Sequence, residues 1–231
     1  MEQFLQQASS YAADIDVLFW IITWIVGFWF FVAQGVLFGF LIKYRRKPGQ
    51  KAGYVEGKSK EEKKWITIPH FLIILCDIVL LAGAVKVWNH VKIHQPEPDL
   101  TIRVEARQWA WIFHHPGPDG KLDTEDDIRT TDELRIQNGL VHKWELSSAD
   151  VLHCFSIPVF RLKQDAVPGR TISGWFKPTK TGEFDIQCAE MCGIGHGLMG
   201  AKLFVEDQHG HAAWMESMTS QAQDHELLAA K

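Results

Sequence analysis

From Val17 to Ile42 the chain runs for 26 residues with Thr23 and Gln34 as its only clearly polar side chains. About 20 apolar residues in an α-helix cross the hydrocarbon core of a bilayer, so this run spans a membrane with some tilt. In lipid a lone segment satisfies its backbone only as a helix, which removes every other local fold from consideration. A second run, Trp65 to about Trp88, is apolar except for Thr67, His70, Asp77 and Lys86. Between the two, Lys43 to Lys64 holds nine Lys or Arg against three Glu. The positive-inside rule puts that loop in the cytoplasm, and the N-terminus and everything after Trp88 on the outer face. Residues 1–16 carry Glu2, Asp14 and Asp16 and no Lys or Arg, so no cleaved signal peptide is expected there.

The pattern changes at Leu100. Thr101 to Ala106 alternates, and Trp109 to Phe113 is aromatic-rich, with Trp109 and Trp111 on one strand face. Further strands are expected at Leu134–Gln137, His142–Leu146, Ser173–Phe176, Phe184–Gln187 and Ala201–Val205. Short strands punctuated by Gly, Pro and Asp predict an all-β Greek-key sandwich. The expected domains are a transmembrane helical hairpin within 1–92 (spans about 17–42 and 65–88), a sandwich over 93–206 and a tail over 207–231. The acidic stretch from Pro116 to Thr131 reads as a solvated hairpin tip without the EF-hand ligand pattern. The tail reads as a short surface helix or frayed end with solvated His209, His211 and His225.

The chemistry concentrates near the C-terminus, in a loop with the spacing C-x3-C-x3-H-x2-M: Cys188, Cys192, His196 and Met199. Glycines at 193 and 195 keep this segment out of regular helix and let soft ligands turn toward one point. Thiolate, imidazole and thioether together select copper in electron-transfer sites. One mononuclear copper needs one Cys and two His, so the loop has a thiol too many and an imidazole too few. His153 is the candidate for the second imidazole. Two Cys, two His and one Met suit two coppers bridged by both thiolates, with a loop carbonyl as a sixth donor. A structural zinc site is the alternative, but zinc has no use for the Met. Four cysteines, two of them in this loop, argue against a disulfide framework.

The loop, the upstream Asp150-Val-Leu-His153 segment, Asp165-Ala-Val-Pro-Gly-Arg170, Gln108-Trp109-Ala-Trp111 and Glu62-x-x-Trp65-x-x-x-Pro69 resemble subunit II of haem-copper cytochrome c oxidases. The resemblance implies a cupredoxin-like sandwich carrying the dinuclear copper centre CuA, with ligands His153, Cys188, Cys192, His196, Met199 and the backbone carbonyl of Glu190. It implies that Trp109 receives the electron from a c-type cytochrome, although Ala110 stands where the family commonly has Tyr. It further implies that Glu62 lies at the mouth of a proton channel, and that the Glu190 side chain helps hold Mg2+ at the interface with the haem-bearing subunit I.

On this reading the chain is the electron-receiving subunit of a terminal oxidase. It sits in a bacterial inner membrane beside subunit I and further oxidase subunits, where O2 reduction is coupled to proton pumping. Its donor is a diffusing cytochrome or one held in a supercomplex with a quinol-oxidising complex. No C-x-x-C-H occurs, so no covalent haem is expected, and no nucleic acid is expected as a partner. Residues 97–185 hold fifteen acidic against eleven basic side chains. Asp126, Asp127, Asp132, Glu133, Glu145, Asp150 and Asp165 are candidates for steering a basic donor. Asp77, mid-span and one helical face with His70, needs a polar contact, supplied by a partner subunit or by the other span. Cys76 and Cys154 read as packing. A quinol-oxidase subunit would lack the copper ligands, and a membrane-tethered copper carrier would not need Glu62, Asp77 or the paired tryptophans.

Overall fold

The computed structural model of the chain describes residues 6–51 and 53–229, with side chains up to residue 220. Its residues form two compact units, Asp14–Asn89 and the remainder on either side. The first is a helical hairpin of α1 (Ala12–Lys43) and α2 (Lys60–Trp88). Both are long and apolar enough to cross a membrane, and their side chains are exposed rather than buried by protein. The start of α2 is specified locally. The Ser59 hydroxyl accepts from the Glu62 N–H at 3.2 Å, and the Glu62 carboxylate accepts from the Ser59 N–H at 3.0 Å. This reciprocal pair satisfies two donors that a helix start otherwise leaves open. Within the hairpin Leu18 meets Gly83, and Trp29 Nε1 donates to Cys76 Sγ at 3.4 Å. Cys76 is thus an acceptor as well as packing. Asp77 is exposed, and the other span offers it no bond among the described residues.

The second unit is the all-β, cupredoxin-like sandwich expected from the sequence. Its strands are β1 (Leu100–Arg107), β2 (Ala110–His115), β3 (Ile128–Thr131), β4 (Glu133–Gln137), β5 (His142–Ser148), β6 (His153–Ile157), β7 (Leu162–Ala166), β8 (Ile172–Phe176), β9 (Gly182–Cys188) and β10 (Gly200–Glu206). They make two five-stranded sheets, in the orders β3-β2-β1-β5-β8 and β4-β10-β9-β6-β7. Pairing is antiparallel except for β1 with β5 and β4 with β10. Alternation marks β1, β4, β5 and β10, whose inward residues (Val104, Ile136, Leu146, Leu203 among them) build the core.

Three strands were not visible as alternation. All five residues of β6 are buried, so no polar face betrays it. In β7 only the two ends are buried. β3 falls inside the stretch read as a hairpin tip, so the true tip is 116–127.

Two terminal segments belong to the sandwich unit. Ala8 N–H donates to the Val159 carbonyl and Thr179 N–H to the Ala8 carbonyl, both at 2.9 Å. The Ser9 hydroxyl donates to the Phe160 carbonyl at 3.0 Å, and Tyr11 is buried with its ring edge-on to Trp175. At the other end α3 (Gln208–Ala229) packs on β4 and β10, burying Trp214 between His115 and His211. His209 is exposed as expected. His211 is half-buried beside Glu206 rather than solvated, and the His225 side chain lies outside the described residues.

Candidate metal centre

The end of β9, the start of β6 and the 189–199 loop bring every sequence-proposed ligand to one point. Cys188 closes β9 and His153 opens β6, and the two strands pair side by side, with Phe155 opposite Cys188. The loop then returns to β10, and the Cys188 N–H donates to the Met199 carbonyl at 3.1 Å. The two thiols lie 3.7 Å apart and are not joined in a disulfide. His153 Nδ1 lies 4.0 Å from Cys188 Sγ, and His196 Nδ1 lies 3.6 Å from Cys192 Sγ. Met199 Sδ is 3.1 Å from His153 Nδ1 and 3.7 Å from Cys192 Sγ. The Glu190 carbonyl oxygen is 3.3 Å from Cys188 Sγ. Six soft or neutral donors therefore surround one small volume, with a pair of sulfurs at its middle.

Burial shapes the chemistry. His153, Cys192 and Met199 are buried, while Cys188 and His196 are half-buried. Removal from water pushes the Cys192 thiol up, and the adjacent Cys188 adds to the rise. Since only the thiolate binds metal, loading this site releases protons and is favoured as pH rises. Cys154 pairs across β6 and β7 with Asp165. Burial, with Asp165 beside it, drives its thiol up to about 12, which leaves it inert and consistent with packing.

Asp150 has a role that the docking hypothesis did not anticipate. Its Oδ1 accepts from His153 Nε2–H at 2.8 Å. The same carboxylate accepts from the N–H groups of Gln108 (2.7 Å) and Val151 (2.6 Å). Burial works to raise its pKa, but these hydrogen bonds outweigh it and hold the group below its ordinary value. With Nε2 committed as a donor, His153 Nδ1 keeps its lone pair and faces the sulfurs. A carboxylate that fixes tautomer and ring plane in this way is the usual outer support of a metal-binding imidazole. The signal available in the sequence was the spacing of Asp150 three residues before a candidate His.

Trp109 does not share a face with Trp111, contrary to expectation. It lies in the β1–β2 turn, before the strand begins at Ala110, so strand alternation does not govern it. Trp111 is fully buried, with its ring 5.3 Å from Phe155 and 6.3 Å from His153. Trp109 remains 39% exposed. Its Nε1 donates to the Cys192 carbonyl at 3.2 Å, which Gln108 Nε2 also reaches at 2.8 Å. Gly195 lies flat against the indole, and a methyl group there would overlap the ring. Trp109 therefore touches solvent on one side and the ligand loop on the other.

The remaining proposed residues are dispersed. Asp126 and Asp127 tie the hairpin tip together, accepting from Asp119 N–H (3.2 Å) and Asp123 N–H (2.8 Å). Asp132 Oδ1 accepts from Trp111 N–H at 2.8 Å, while Glu133 pairs with Arg135 and Glu145 with Lys143. Among the seven carboxylates proposed for docking, Asp150 is the one that touches a ligand residue. The surface beside the cluster is instead apolar. Ile194 is 97% exposed, and Met191, Leu198, Val151 and Leu152 are exposed with it. Glu190 is half-buried in the loop, and Glu62 is engaged in the α2 cap.

The family model for the cytochrome C oxidase subunit II periplasmic domain matches residues 100–205. An alternative cytochrome c oxidase subunit 2 of Bradyrhizobium diazoefficiens is 33% identical over 215 residues, covering 84% of this chain and 76% of the relative. Cytochrome c oxidase subunit 2 of Thermostichus vulcanus is 30% identical over 259 residues, covering 90% of this chain and 76% of that one. Among solved structures, the periplasmic domain of subunit II of cytochrome oxidase from Bradyrhizobium japonicum is 32% identical. It covers 55% of this chain and 99% of that structure, with a TM-score of 0.49.

Proposed function

Because the chain belongs to the cytochrome c oxidase subunit II family, we propose that His153, Cys188, Cys192, His196, Met199 and the Glu190 carbonyl hold a dinuclear copper centre. The observation that carries this is the pair of free thiols 3.7 Å apart, with an imidazole nitrogen beside each and an inward-turned thioether. The donor set fits. Cys188 and Cys192 would hold the metal between them, His153 and Met199, which stand together, would add an imidazole and a thioether, and His196 and the Glu190 carbonyl would complete the set. A zinc site would leave Met199 without a purpose. When bound, such a centre supplies a one-electron relay between a c-type cytochrome outside the membrane and haem in the large subunit.

The chain's own residues do the rest. Asp150 sets the His153 tautomer. Trp109, exposed and hydrogen-bonded to a ligand residue's carbonyl, receives the electron. The apolar residues around the loop, Ile194 and Leu198 foremost, exclude water where partner proteins meet this face, and the dispersed carboxylates add long-range steering at most. Glu190 is the side chain offered to Mg2+ at the subunit I interface, and Glu62 the one at a proton-channel mouth. Asp77, unbonded within the hairpin, takes its polar contact from a partner subunit. The hydrogen bonds between the N-terminal segment and the sandwich support a reading in which both lie on one side of the membrane, as two spans joined by a basic cytoplasmic loop require. This suits a bacterial inner membrane with the sandwich outside. A free-standing copper carrier is disfavoured, since similarity to oxidase subunits extends across the hairpin.

The test is EPR of the purified, copper-loaded full chain. Hyperfine coupling over two equivalent copper nuclei is expected, with about two coppers bound per chain. Cys192→Ser is expected to abolish that signal. A mononuclear spectrum from the unaltered chain would overturn the assignment.

A further inference from the structure

The β1–β2 turn meets the ligand loop at one atom, the Cys192 carbonyl oxygen. Gln108 Nε2 donates to it at 2.8 Å and Trp109 Nε1 at 3.2 Å. Two donors use both lone pairs of that carbonyl. The main chain of the same glutamine is engaged as well. Its N–H donates to Asp150 Oδ2 at 2.7 Å, while Oδ1 of that carboxylate accepts from His153 Nε2–H at 2.8 Å. Gln108 therefore touches both arms of the cluster, the loop through its side chain and the support of His153 through its backbone. It is itself exposed at the turn, so the amide, not packing, is what it offers.

The loop has little else to hold it. Its ends are secured by Cys188 N–H on the Met199 carbonyl (3.1 Å) and Ala189 N–H on the Cys154 carbonyl (3.0 Å). The bonds from His196 N–H to Gly193, Leu198 N–H to Gly195 and Met199 N–H to His196 stay inside the loop. Contacts among the candidate ligands aside, the hydrogen bonds that join 190–197 to the sandwich among the described residues are the two on the Cys192 carbonyl. Met191, Ile194 and Leu198 are exposed, so these apolar side chains do not pack the loop down. Glycine stands where the turn lies on the loop. Gly193 has a φ of 114°, and a Cβ there would lie 2.9 Å from Gln108 Nε2. A Cβ at Gly195 would lie 2.4 Å from Trp109 Cδ2. These glycines do more than keep the loop out of helix, since they admit the two side chains that hold it.

We propose that Gln108 is a positioning residue, whose side-chain amide pins the Cys192 carbonyl and so holds the ligand loop under Trp109 in its binding geometry before metal arrives. Ligands fixed in advance need less ordering when the metal binds. The purpose of this positioning rests on the copper reading above; the hold on the loop does not.

The experiment uses the full chain in lipid nanodiscs, free of metal and with its thiols reduced, and follows amide hydrogen exchange by mass spectrometry. Gln108→Leu keeps the bulk and removes the donor. It is expected to speed exchange at Ala189, His196, Leu198 and Met199 about three- to tenfold, the size of one modest hydrogen bond, while β5 and β10 exchange as before. Should that variant fail to fold, Gln108→Ala removes the same donor. Gln108→Lys, whose ammonium still donates, is expected to restore slow exchange, which a role in packing alone would not predict. Unchanged loop exchange without the donor, equal acceleration in the Leu and Lys variants, or acceleration spread evenly over the sandwich would each overturn the proposal. Copper loading separates this inference from the reading it rests on. A dinuclear EPR signal with unaltered loop exchange would overturn the role of Gln108 alone. Accelerated exchange with a mononuclear signal would overturn the copper assignment and support the hold on the loop.

Discussion

His153 and His142 are the same device in two settings. Each is buried, each spends Nε2–H on a fixed oxygen, and each presents a bare Nδ1. At His153 the fixed oxygen is a carboxylate, and Nδ1 faces three sulfurs. At His142 it is a backbone carbonyl, and Nδ1 is buried with no partner among the described residues. The ring does not decide its own chemistry. The orienting oxygen sets which nitrogen is free, and the groups opposite decide whether that nitrogen binds metal or waits for a donor.

The sharpest way to break the comparison is by acid. Burial lowers the His142 pKa to about 4 and the His115 pKa to about 3, so the unfolded chain binds protons there before the folded chain does. Their contribution to stability is complete above the unfolded value near 6.5 and is lost as pH falls toward 4 and 3. For His142 the shift corresponds to on the order of 3 kcal/mol. Denaturant unfolding followed by tryptophan fluorescence from pH 7 to 4 is expected to show this loss, and His142→Leu to reduce its slope by one proton. An unchanged slope would mean that His142 is hydrated rather than buried.

A smaller effect, confined to the metal end, tests orientation. Asp150→Ala is expected to weaken copper binding about 10- to 100-fold, the range typical of lost outer support, while Asp150→Asn, which still accepts from Nε2–H, recovers most of it. Competition against a copper chelator measures both. Equal losses in the two variants would reassign Asp150 to charge rather than positioning. The smallest effect is expected from Gly195→Ala. The added methyl displaces Trp109, so reduction by a c-type cytochrome should slow several-fold in stopped flow while copper content is unchanged.

Much of the candidate centre was legible because it is local. Four side-chain ligands lie within twelve residues, glycines mark the loop, and soft donors in that order have few other uses. The long apolar runs were legible for a related reason, since span length is a property of the chain and the bilayer alone. Strand β6 was not, because a strand buried on both faces has no alternating code, and β7 was not, because only its two ends are buried. Trp109 shows the same limit. Its spacing from Trp111 predicted a shared face, but the chain turns between β1 and β2 one residue before the strand begins.

The sequence by itself determined the class of this protein: a membrane-anchored chain with an outward all-β domain and a soft-metal loop of subunit II type. Each follows from composition and spacing over short stretches, where near neighbours in the chain are near neighbours in space. Tertiary structure alone decided the rest. It joined Asp150 to His153, stacked Trp109 on Gly195, tied the N-terminus to the sandwich, and left His142 with an unpaired nitrogen. Those outcomes depend on groups brought together from distant parts of the chain, and no local pattern encodes them.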